Sequence, residues 1–65
     1  MTVDQVMALF DQQMRIVDLK LNSSFRKWAT ARDETIEYFS SRTGIPAEQF
    51  EDRLMQRQIR ELTGA

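Results

Sequence analysis

The chain has 65 residues, nine of them basic and ten acidic, with no cysteine and no histidine. That length allows one domain, residues 1–65, whose core is marginal unless something braces it, and disulfides and the common zinc sites are excluded as braces. A net charge of −1 argues against a general nucleic-acid binder or a polybasic membrane anchor, which leaves close helix packing or association with another chain.

The first predicted helix covers about residues 3–21. Thr2 followed by Gln5 is a capping-box signature. Val3, Met7, Phe10, Met14, Val17 and Leu21 alternate in steps of four and three, the seam of a bundle or coiled-coil helix. Leu9, Ile16 and Leu19 fall outside that seam, so a second face is apolar and one seam does not bury them all. Asp4, Asp11 and Asp18 recur every seven residues beside the seam. An antiparallel copy of this helix would set Asp against Asp, so the flank calls for a basic neighbour.

Asn22-Ser23-Ser24 reads as a break, since short polar side chains bond nearby backbone and cap helices. The alternative is one long helix, because Phe25, Trp28, Arg32, Ile36 and Phe39 continue the stripe after a stutter. With the break, the second helix spans about 25–43. Gly44 is the residue expected just past a helix end.

Arg32 sits in the middle of the second helix's apolar stripe, between Trp28 and Ile36. A buried unpaired charge is too costly to keep. Three environments satisfy it: water, reached by snorkelling; the face of Trp28, as a cation–π pair; or a carboxylate on a partner, where Arg and Trp are favoured anchors. Asp33, Glu34 and Glu37 lie opposite this stripe and read as a solvated acidic face.

Pro46 suits the first turn of a third helix, about 46–62, where its missing N–H costs nothing. Phe50 and Leu54 mark one apolar face early in that helix. Met55, Ile59 and Leu62 mark another, rotated by more than a quarter turn. Two accounts fit: a loose terminal pattern, or a helix whose first half packs on the domain and whose second half packs on something else. Arg53, Arg57 and Arg60 form a basic stripe that answers the Asp stripe of the first helix. Their other use is contact with an anion or an acidic partner.

The chain carries few groups suited to catalysis. Without His or Cys there is no Ser-His or Cys-His nucleophile and no imidazole base, and no Gly-rich phosphate loop is present, so no enzyme activity, cofactor, metal or small-molecule substrate is expected. No apolar run approaches the ~18 residues of a membrane span. Met1-Thr2-Val3-Asp4 lacks the positive start of a signal peptide, which points to a cytoplasmic protein.

Residues 36–54 resemble a helix-turn-helix pattern, with Phe39, Ser40, Gly44, Ile45 and Phe50 in the expected places. Arg53, however, takes a position that is usually apolar. The second helix also turns Glu48, Glu51 and Asp52 outward, where DNA phosphates repel them, so nucleic acid is the lesser expectation. The leading expectation is an all-α three-helix bundle, or a helical hairpin with a long first helix, that is oligomeric or docks on a larger assembly. Its function is protein–protein interaction, as a small adaptor, regulatory or structural subunit. The interface residues expected are Met7, Phe10, Met14, Val17, Trp28, Arg32, Met55 and Ile59.

Overall fold

Three helices form, and the computed structural model describes residues 1–64. They are α1 (Val3–Lys20), α2 (Phe25–Thr43) and α3 (Ala47–Thr63), with no strand among the described residues. The one-long-helix alternative does not occur, and the reason is local. Leu21 leaves helical geometry at φ −119° and ψ 27°, and Ser24 is extended at φ −141° and ψ 108°. The Ser24 hydroxyl then accepts the N–H of Lys27, capping a new helix.

The other ends follow the same logic. The Thr2 hydroxyl accepts the Gln5 N–H at 3.2 Å, and the Gln5 side chain accepts the Thr2 N–H at 2.9 Å, so the capping box closes. Gly44 ends α2 in the left-handed region at φ 76°, donating its N–H to the carbonyl of Ser40. The turn is fastened by Ser40, whose hydroxyl donates to the Ile45 carbonyl at 2.7 Å. Pro46 occupies the cap position itself, so α3 starts one residue later than the sequence suggests.

The core lies where each helix contributes one phenylalanine. Phe10 of α1 meets Phe39 of α2 edge-on at 5.6 Å between ring centres, and Phe50 of α3 at 4.8 Å. Edge-on and tilted contacts suit the ring quadrupoles. Val6, Met7, Met14, Val17 and Ile36 complete the buried set with Phe10 and Phe50, and Phe39 packs half-buried against it together with Leu21, Trp28, Ile45 and Leu54.

This corrects one expectation. Met7, Phe10, Met14 and Val17 do not face a partner; they are the α1 half of the chain's own core. The four-and-three seam is an apolar face, but α2 and α3 cover it. Phe25 departs from the second-helix stripe in the opposite sense. It opens α2, beyond the packed region, and is 79% exposed.

Candidate docking surface

α2 packs on both other helices, while α1 and α3 approach each other less closely and are joined by long side chains. The stripes of opposite charge meet in sequence order. Arg53 donates two-pronged hydrogen bonds to Asp11, the shorter 2.7 Å, and Arg57 donates to Asp18 at 3.1 Å. Later residues of α1 thus meet later residues of α3, so the two helices run in the same sense and α2 runs against them. The Asp11 carboxylate raises the pKa of the Arg53 guanidinium, which is charged at any ordinary pH in either case. These pairs are partly exposed, so each contributes only about 0–1 kcal/mol.

Asp18 has a second role. The indole N–H of Trp28 donates to its other carboxylate oxygen at 2.6 Å. One carboxylate on α1 therefore holds a side chain of α2 and a side chain of α3. A partly buried hydrogen bond to a charged group contributes more than a surface ion pair, about 1.5–3 kcal/mol. The guanidinium of Arg32 lies over the Trp28 ring, 5.4 Å from its centre, and donates to the neighbouring Asp33. Trp28 and Arg32 therefore have partners within the chain, in keeping with the cation–π and snorkelling arrangements. Arg60 makes no ion pair among the described residues, and it shares a shallow groove between α1 and α3 with Asp4 and Asp52.

What remains outward is apolar. On α3, Met55, Ile59 and Leu62 are 58%, 50% and 80% exposed. Their spacing of four and three puts them on one helix face. On α1, Leu9, Ile16 and Leu19 point away from the core and are 42–74% exposed. With Gln5 and Gln12 they form a second four-and-three seam, back to back with the buried one. An open groove of about 800 Å³ separates α2 from α3 near Phe25, Trp28, Leu54 and Met55.

Of the eight interface residues expected from sequence, then, Met55 and Ile59 lie outside, Trp28 and Arg32 are half-buried, and four are core. Leu19 and Phe25, both more exposed than Ile59, are not among the eight, and Leu62 joins Met55 and Ile59 on the second α3 face that the spacing predicts. The signal for Leu19 was present in the second seam of α1. No family model, curated protein or solved structure matches the chain. Among the described residues no helix is long and apolar enough to cross a membrane, and no cluster of acidic side chains is grouped to hold a metal ion.

Proposed function

We propose that this chain is a non-enzymatic protein–protein interaction module, a small adaptor, regulatory or structural subunit of an oligomer or larger assembly. The docking surface is the apolar stripe Met55, Ile59 and Leu62 of α3, with Leu9, Ile16 and Leu19 of α1 as a second surface. One observation carries the reading. The chain has 5175 Å² of accessible surface at 7.7 kDa. A compact monomer of that mass exposes about 4300 Å². The surplus of roughly 850 Å² matches the area one partner buries in a standard interface, about 800 Å². The two stripes support the reading too, since exposed apolar residues in register mark interaction sites while scattered ones do not.

Site-specific photo-crosslinking in the native cell tests this. A photoreactive side chain at position 59 is expected to give a discrete covalent adduct, and the same group at position 34, on the acidic face, none. Absence of any adduct from position 59 rejects the reading. A DNA-binding regulator built on residues 36–54 is the second reading, favoured by the Gly44 turn and by Ile45 and Phe50 anchoring the two helices. Glu48, Glu51 and Asp52 are exposed on α3, and a gel-shift that fails even at low salt removes it.

A further inference from the structure

Resting on that interaction reading, we infer that the occupant of the α3 stripe is the α1 stripe of a second copy of the same chain, packed antiparallel. The two surfaces match in chemistry. The outer face of α1 is apolar and glutamine-rich, and its flanking charges, Arg15 and Lys20, are both basic. The outer face of α3 is apolar in its C-terminal half, where the exposed charges are Arg60 and Glu61, and the charges ahead of it, Glu48, Glu51 and Asp52, are acidic. Neither Arg15 nor Lys20 is used in an ion pair within the chain, and neither is Glu48, Glu51 or Asp52, among the described residues. Each copy thus carries a basic-flanked apolar stripe and one with acidic charges ahead of it, each with those charges uncommitted.

Direction follows from where the charges lie. The basic residues stand in the C-terminal half of α1, and the acidic ones in the N-terminal half of α3. Only an antiparallel crossing brings them together. The register that sets Leu9 against Leu62 and Ile16 against Met55 also sets Lys20 against Asp52, on the same flank of the contact. A parallel crossing instead lays the start of α1, with Asp4, beside the acidic turn of α3, and leaves Lys20 beyond its end. The antiparallel arrangement also opposes the two helix dipoles.

The contact is heterologous, using different surfaces on the two partners. Copies therefore add head to tail, into a closed ring or an open chain.

A charge-swap series in analytical ultracentrifugation, on the full chain across a concentration range, decides the matter. The wild type is expected to gain mass with concentration. Lys20→Glu and Asp52→Lys each weaken association roughly fivefold, the size of one ion pair. The double variant K20E/D52K recovers wild-type association, because the pair is rebuilt with its charges exchanged. All four proteins stay helical, since neither side chain makes an ion pair among the described residues. A monomer at every concentration overturns the inference, and so does a double variant as weak as the two single changes combined. If the isolated chain stays monomeric while position 59 crosslinks in the cell to a protein of different mass, self-assembly is rejected and the docking reading stands.

Discussion

Asp18 joins the three helices through one side chain. Its two oxygens accept from the Trp28 indole and the Arg57 guanidinium. Asp18→Ala leaves the indole N–H without its acceptor and Arg57 without its counter-charge. The expected cost is about 1–3 kcal/mol. Asp18→Asn keeps an acceptor for the indole and loses only the charge, so a smaller loss is predicted. Urea unfolding followed by fluorescence measures both, because Trp28 is the single tryptophan and reports its own surroundings. Equal losses for the two variants would mean that the indole hydrogen bond contributes nothing. Gly44 gives a second test at this scale. A methyl group there meets nothing within 4 Å, but φ is 76°. Gly44→Ala is therefore predicted to cost about 1–2 kcal/mol through backbone conformation alone. A melting temperature equal to wild type would show that the turn adapts freely.

Single helices were legible in the sequence to within a residue or so at each end, because their signals are local. The Thr2–Gln5 box, Ser24 and Gly44 each act within four positions of themselves. The apolar seam of α1 was legible too, but its partner was not. Periodicity shows that Met7, Phe10, Met14 and Val17 share a face; whether α2 and α3 or another protein covers it depends on packing between distant residues. The same limit applies to Phe25, which fits the stripe of α2 by spacing but stands at the helix start, where it meets the Trp28 ring at 5.7 Å between centres and stays 79% exposed. The pairing of Asp11 with Arg53 and of Asp18 with Arg57 was accessible from sequence, because two stripes of opposite sign at matching intervals invite each other. At the centre of the packing, Phe10 is fully buried against Phe39 and Phe50. Phe10→Ala is predicted to cost about 3–5 kcal/mol, a large part of the stability of a chain this size, about 3–10 kcal/mol. Circular dichroism should show a melting temperature lowered by roughly 12–40 °C; a cooperative melt near the wild-type temperature would place the core elsewhere.

The whole molecule is a thin body, 31 × 27 × 17 Å. Its radius of gyration, 11.9 Å, exceeds the roughly 10.7 Å of a compact chain of this length. Three helices of 17–19 residues supply more apolar surface than one small core can absorb. The fold uses one face of each helix and leaves a second on α1 and α3. The division between core and docking surface is therefore the central claim, and one triple variant tests it most directly. Met55→Gln, Ile59→Gln and Leu62→Gln together remove the α3 stripe while keeping good helix formers. Urea unfolding of the triple variant against wild type, in dilute solution where copies do not meet, is the measurement to make. An unfolding midpoint that stays put, with stability changed by less than about 0.5 kcal/mol per site as for ordinary surface positions, is what the account predicts. A loss of several kcal/mol would contradict it, because the stripe would then belong to the chain's own core and not to a surface for another protein.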